Sequence, residues 1–354
     1  MSGNLERGAE LTDQALQLSK ELRVPEALGR ALLAKAILLG FQGRPEEARA
    51  HLRHALLVAE EHDVPEVREV GTGHLSDMCF QGDRYDEALE LLTEFLARAR
   101  RLGGRRFELY GLAEISYAQT MRGRWDEALA AYHELRELAT QLTFTEMSPL
   151  SGVLSVLVQR GDVDGGRGVL EAFAHLESDT DIQGRTMVDA ARAELAFAEG
   201  RYADALRDGS EAAGAAIEIG AQGRKHGLVW AVESALALEE RDRADELLGM
   251  VESLAPGLRP PYLEAHAHRL RGRMNGSEDD FKTAESLFRD FEIPFWLAVT
   301  QLEHGEWLVS QERRSEASPL FAEAQETFER LEAQPWVERL ERSSADDAQA
   351  AVAS

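Results

Sequence analysis

The chain has 354 residues, 44% of them hydrophobic and 29% charged, with 64 acidic side chains against 39 basic ones and a net charge of −25. That apolar content can bury a sizeable core, while the acid excess argues against nucleic acid and anionic membrane surfaces as partners, because both repel it. A single cysteine, Cys79, excludes a disulfide framework and a thiolate metal site.

The opening residues 1–6 lack a basic region followed by an apolar run, so no signal peptide is expected. The longest apolar runs, 31–41 and 227–238, are short or carry Lys35 and Glu233, and neither could span a bilayer. The expected compartment is the cytoplasm. Lysine occurs only at positions 20, 35, 225 and 282 beside abundant arginine and alanine, a usage that suggests a high-GC bacterial genome.

Small residues recur at Gly8, Ala48, Ala88, Ala128, Gly166, Ala205, Ala244, Ala284 and Ala317, in steps of 40, 40, 40, 38, 39, 39, 40 and 33. An aromatic stands three positions earlier at Tyr85, Trp125, Tyr202 and Phe281. An acid stands one position earlier at Glu47, Glu87, Glu127, Asp204 and Glu316, and a glycine precedes the group at 43, 82, 123, 161 and 200. A fixed period of this size marks stacked supersecondary units, none of which buries its apolar face alone. From each small residue an apolar stripe follows at helical spacing, as in Ala88, Leu91, Leu92, Phe95, Leu96 and Ala99. The anchor is small because two helices cross there, and the preceding glycine is expected to end the first helix in a left-handed turn.

In chain order, 4–22 reads as a second helix without a first, its stripe Leu11, Ala15, Leu18 and Leu22 open on one flank. It is either a cap or the edge of something larger, and the apolar stripe favours the latter. Eight hairpins follow. Their first helices are predicted at 26–42, 66–81, 105–122, 146–160, 182–199, 223–239, 261–274 and 295–311, with Pro25, Pro65, Pro261 and Pro294 in or near first turns. Second helices are predicted at 45–62, 84–102, 125–142, 163–177, 202–219, 242–254, 278–291 and 314–332. The glycine-rich 161–168 is the predicted weak joint. Residues 335–342 should form a short capping helix and 343–354 a disordered tail. One continuous array over 1–342 is expected.

The glycine/aromatic/acid/alanine pattern resembles the tetratricopeptide repeat over essentially the whole chain, although its period exceeds that family's 34 residues. The longer period, with Pro294-Phe295-Trp296-Leu297-Ala298 and the run from Phe328 to Leu340, is similar to the repeat tails of actinobacterial STAND and LuxR-type regulators and of cyclase–AAA ATPase fusion proteins. The resemblance implies an all-α, right-handed superhelical solenoid of antiparallel helix hairpins that senses a ligand or protein and passes the signal to an ATPase or output domain. The helix-turn-helix module that follows in LuxR-type proteins has no counterpart in the dozen residues after Leu340.

No phosphate-binding loop is present, since each of the four lysines lacks the required glycines and hydroxyl; 220–226 has the wrong spacing. His51 with His54, and His266 with His268, miss the i, i+4 spacing of a helical zinc pair, and Glu137 stands where 133–137 would need a second histidine. No metal or cofactor is expected. The aromatics before the anchors read as hairpin packing rather than a stacking ladder. The function that remains is a protein-binding or ligand-sensing scaffold, with first helices lining a concave surface. Arg30, Tyr117, Glu194, Glu233 and Glu306 are its mid-helix candidates, and the acids would favour a basic partner. A stand-alone adaptor is one alternative. An α/α-barrel enzyme is another, but it would need acidic, aromatic loops at one rim, and of the loops 103–105, 143–145, 178–181 and 255–260 only 178–181 is acidic.

Overall fold

A computed structural model describes residues 2–139, 148–173, 176, 181–217, 219–255 and 258–352. These residues form eighteen α-helices, one 3-10 turn and no strand. The helices are α1 (Ser2–Glu21), α2 (Pro25–Phe41), α3 (Pro45–Glu61), α4 (Pro65–Gln81), α5 (Tyr85–Leu102), α6 (Arg105–Met121), α7 (Trp125–Ala139), α8 (Val153–Arg160) and α9 (Val163–Ala172). Then come α10 (Ile182–Ala198), α11 (Tyr202–Ala213), α12 (Gln222–Ala237), α13 (Arg241–Glu252), α14 (Pro261–Asn275), α15 (Glu278–Asp290), α16 (Pro294–Ser310), α17 (Arg314–Leu331) and α18 (Gln334–Val352). Helices α2, α4, α8, α10, α12, α14 and α16 each pack on the second helix that follows. The pairs α2 and α4, α10 and α12, α12 and α14, and α14 and α16 also touch, so successive first helices share one face.

Local chemistry explains the boundaries. Proline occupies the first turn of α2, α3, α4, α14 and α16, where its missing N–H was never going to find a partner. Gly43, Gly123, Gly161 and Gly200 end first helices at positive φ, as the spacing predicts. Gly82 does not: its φ is −97°, and Asp83 takes the left-handed position at φ 55°. The buried Asp83 carboxylate accepts the Tyr85 hydroxyl at 2.7 Å, a bond that ties this turn to the next helix.

Ala48, Ala88, Ala128, Ala205, Ala244, Ala284 and Ala317 are fully buried at the helix crossings. The aromatics before them pack within their hairpins: Tyr85 on Phe80 at 6.2 Å and Tyr202 on Phe197 at 5.2 Å between ring centroids. The acid before the anchor has a local partner that recurs with it. Arg44 holds Glu47 and Arg313 holds Glu316, each three residues ahead, and Arg201 holds Asp204 in the same way. A carboxylate in the first turn of a helix is thereby both paired and placed at the positive end of the helix dipole.

Residues 140–147, which include the end of one predicted second helix and the start of the next first helix, lie outside the described set. The rest of that first helix is broken into a 3-10 turn, Ser148–Leu150, and α8. A Cβ on Gly152 would stand 3.1 Å from the Tyr117 Cα, so the backbone passes α6 too closely for a side chain. Helix α9 is short, as the glycines predict, and the Asp162 carboxylate caps it by accepting the Gly165 amide at 2.8 Å. A methyl group on Gly168 would meet nothing within 4 Å. Gly168→Ala should therefore stabilise the protein by about 0.5–1 kcal/mol, read as a higher denaturant midpoint at unchanged slope. Helix α18 runs to Val352, through most of the stretch expected to be disordered; its side chains beyond Ser343 and the last two residues lie outside the described set.

The contacts divide the chain into two compact units, Met1–Ile115 and Ser116–Ser354. In the first unit the hairpins stack in sequence order. In the second, the last hairpins return to the first. Trp125 lies 5.2 Å from Phe295 between ring centroids, and Arg122 donates to the Glu292 carbonyl at 2.7 Å and pairs with the Glu292 carboxylate. Arg160 donates to the Leu331 carbonyl at 3.0 Å, and the Trp336 indole N–H donates to Gln159 at 2.8 Å. Residues about 170 positions apart thus form a seam that closes this unit on itself.

Candidate functional site

In the closed unit the first helices turn their side chains inward and fill the interior. Tyr117 of α6 reaches α12, where its hydroxyl lies 3.0 Å from His226 Nε2, and Tyr262 of α14 approaches Nδ1 of the same ring at 3.4 Å. Burial, with Lys225 next to it, pushes the His226 pKa down to about 3, so the ring is neutral and offers one donor and one acceptor. Trp230, His266 and Trp296 continue the cluster, with His266 set edge-on 4.4 Å from Tyr262 and 4.5 Å from Trp296.

Beside the aromatic cluster runs a buried ladder of charges. Arg269 is fully buried and donates to Glu303 at 3.0 Å and to Glu233, while its guanidinium stands 5.0 Å from the Trp296 ring centroid. Arg273 donates to Glu233 at 2.6 Å and lies 3.2 Å from Glu303. Arg339 of α18 donates to Glu306 at 2.6 Å, and the Ser343 hydroxyl donates there too. Burial alone would raise the Glu233 pKa, but Arg269 and Arg273 outweigh it and hold the carboxyl below its ordinary range.

Glu194 sits apart from the arginines. It is buried on α10 and accepts from Ser155 Oγ at 2.8 Å and from Gln159 Nε2 at 2.9 Å, with Trp230 as a further donor. Among the described residues no cation faces it, and burial raises its pKa to about 7. A folded pKa above the unfolded value means that native protein keeps a proton the unfolded chain has released. Stability therefore falls as pH rises from about 4.5 to 7, and the full penalty, on the order of 3 kcal/mol, is present above that. Glu194→Gln should accordingly raise the melting temperature at pH 8 and leave it nearly unchanged at pH 4. An equal shift at both pH values would show that the carboxyl is not the titrating group.

The five residues singled out from sequence thus divide. Tyr117, Glu194 and Glu233 are buried in the second unit, each with partners from its own chain; Glu306 is half-buried on Arg339. Arg30 alone is exposed, shared by Glu26 at 3.0 Å and Glu66 at 2.6 Å. Glu233 and Glu306 belong to one ladder; the other three lie elsewhere. The acids expected to attract a basic partner are already neutralised or protected. Their partners Arg269, Arg273 and Arg339 carry a readable signal: opposite charges 33 to 40 residues apart, on successive first helices.

The first unit offers a different face. Arg30, Val70 and Tyr110 stand one repeat apart on α2, α4 and α6; Arg30 and Val70 are exposed and Tyr110 is half-buried. The Tyr110 hydroxyl meets Asp77 Oδ1 at 2.9 Å and the Gly73 carbonyl at 3.1 Å, and His74 lies 3.7 Å from Asp77. Burial and the Asp77 charge raise the Tyr110 pKa, which keeps the phenol protonated. Among the described residues no group of three or more His, Cys, Asp or Glu is placed to hold a metal ion, and no helix is long and apolar enough to cross a membrane.

No protein-family model and no curated protein matches the chain. Solved structures similar to it include a tetratricopeptide repeat protein from Parabacteroides merdae ATCC 43184, at 16% identity over 77% of this chain and 98% of that one, with a TM-score of 0.39. The apo form of the quorum sensor NprR from B. thuringiensis matches at 13% identity over 91% and 83%, with a TM-score of 0.38. Yeast Tom70 matches at 15% identity over 97% and 87%, with a TM-score of 0.34. The chain's own helices define its architecture as an all-α repeat of helical hairpins.

Proposed function

We propose that this protein is a binding scaffold for a protein or peptide, with the first-helix face of α2, α4 and residues 105–115 of α6, in the unit Met1–Ile115, as its recognition surface. The observation that carries this reading is a contrast at equivalent repeat positions. Arg30 and Val70 are exposed while their equivalents Met187, His226 and His266 in the second unit are buried, and Ile37 and Asp77 are half-exposed while their equivalents Tyr117, Glu194 and Glu233 are buried. Glu66 and Asp77 beside Val70 give the face an acidic character with one apolar step, which suits a peptide carrying a basic side chain next to an apolar one. In line with the sequence resemblance, the scaffold would act as the sensor of a bacterial signalling or transcription-regulatory system, cytoplasmic and linked to an ATPase or output domain. A stand-alone adaptor would use the same surface.

The α/α-barrel enzyme gains one supporting feature, the closure of the second unit. Its interior carboxylates Glu194, Glu233 and Glu303 are nevertheless buried and held by donors of their own unit.

A displayed peptide library panned on the full chain tests the proposal. Enriched sequences should carry Lys or Arg, and their binding should be lost in Val70→Glu and Asp77→Lys but kept in Leu57→Glu, a change at an exposed leucine on α3. Equal binding to all three variants would sink it.

A further inference from the structure

Helix α1 has two faces. Thr12, Leu16 and Ser19 are buried, and Lys35 of α2 holds Asp13 at 2.7 Å. On the other side Leu11, Leu18 and Leu22 are 49%, 55% and 70% exposed, with Ala15 exposed between them. One repeat later the equivalents of Ala15 and Leu18, Ala55 and Val58, are buried; two repeats later so is Phe95.

The open side has a pattern of its own. Leu11, Ala15, Leu18 and Leu22 are spaced 4, 3 and 4, the a/d seam of paired helices with a period of 3.5, and the Leu22 amide still bonds the Leu18 carbonyl at 2.9 Å. Arg7, Gln14 and Glu21 flank that seam at heptad spacing. In a parallel pair of identical helices these flanks lie on opposite sides of the seam, so no arginine would meet a glutamate. In an antiparallel pair each arginine meets a glutamate, Leu11 meets Leu18, and the small Ala15 lies at the two-fold axis where the helices come closest.

We propose that α1 is a dimerisation helix, and that its exposed face pairs antiparallel with α1 of a second copy of this chain, Leu11 on Leu18 and Arg7 on Glu21 across a two-fold axis at Ala15. Such a contact is isologous, so it closes at two copies and leaves no open end. It is independent of the recognition surface proposed for α2, α4 and α6.

Light scattering on the full chain should give twice the chain mass. Leu18→Glu, at an exposed position, should keep the helical circular dichroism and weaken the dimer by about 100-fold, because two-fold symmetry counts the lost leucine twice. Orientation is read by cross-linking, with the native Cys79 buried and out of reach. Ala15→Cys should form a disulfide-linked dimer by itself. Leu11→Cys and Leu18→Cys should link poorly alone and readily when mixed. A monomer at every concentration overturns the proposal, as does a dimer indifferent to Leu18→Glu. So does self-linking by each single cysteine variant with no gain on mixing, which is the parallel result.

Discussion

Arg269→Ala should lower the unfolding free energy by about 3–5 kcal/mol, the loss expected when one member of a buried ion network is removed and its partners are left charged. Glu233 and Glu303 both lie on this guanidinium, and both are buried, so neither can turn to water when it goes. Arg30→Ala removes an ion pair of similar geometry from the surface and should change stability by less than about 0.5 kcal/mol. Denaturant titration of the two variants side by side measures the difference. The same network carries a pH signature. Because the Glu233 pKa is depressed, its contribution is complete above the unfolded carboxyl range and is lost as pH falls toward the folded value. Arg269→Ala should therefore flatten the acid limb of the stability profile. A variant within about 1 kcal/mol of the parent would mean that the charges repay little more than their desolvation.

The second large effect belongs to glycine. A Cβ on Gly209 would stand 2.8 Å from the Ala231 amide nitrogen and from the Gly227 carbonyl oxygen, and a Cβ on Gly227 would run into the Ala212 methyl. A Cβ on Gly223 would likewise come within 2.7 Å of the backbone at Thr186 and Met187. Helices α10, α11 and α12 therefore touch backbone to backbone, and no rotamer change relieves an added group. Gly209→Val should cost at least about 3 kcal/mol and lower the thermal midpoint, against the gain expected from Gly168→Ala. A near-neutral Gly209→Val would show that these helices can separate at little cost.

The repeat was legible because its anchors, Ala88 and its equivalents, answer to a purely local demand: two helices cross there and a methyl is the most that fits. The proline and glycine boundaries were legible for the same reason, with Gly82 the exception because the left-handed role passed to Asp83, which gains the Tyr85 hydroxyl in return. Closure of the second unit was not legible. The contacts of Trp125 with Phe295 and of Trp336 with Gln159 join residues whose separation has no fixed value that a period could announce. One indirect sign existed. From Lys225 to Ala235 of α12 every residue is buried, and a first helix of an open array should show one polar flank. A helix carrying Lys225, His226 and Glu233 yet buried all round has to be covered on both sides. The candidate residues failed to converge for a related reason: mid-helix position identifies the inner side of a repeat but not whether that side faces solvent.

The seam between Arg122, Trp125 and Arg160 on one side and Glu292, Phe295 and Trp336 on the other gives the second unit an energetic property that a linear array lacks. Linear arrays unzip from their ends, since a terminal hairpin has one neighbour and the least to lose. Within the closed unit every hairpin has two neighbours, so opening must begin by tearing the seam, and nothing short of that exposes an end. Amide exchange there should therefore follow a single global event, with the early and late helices released together, whereas in the unit Met1–Ile115 protection should grade inward from its edge.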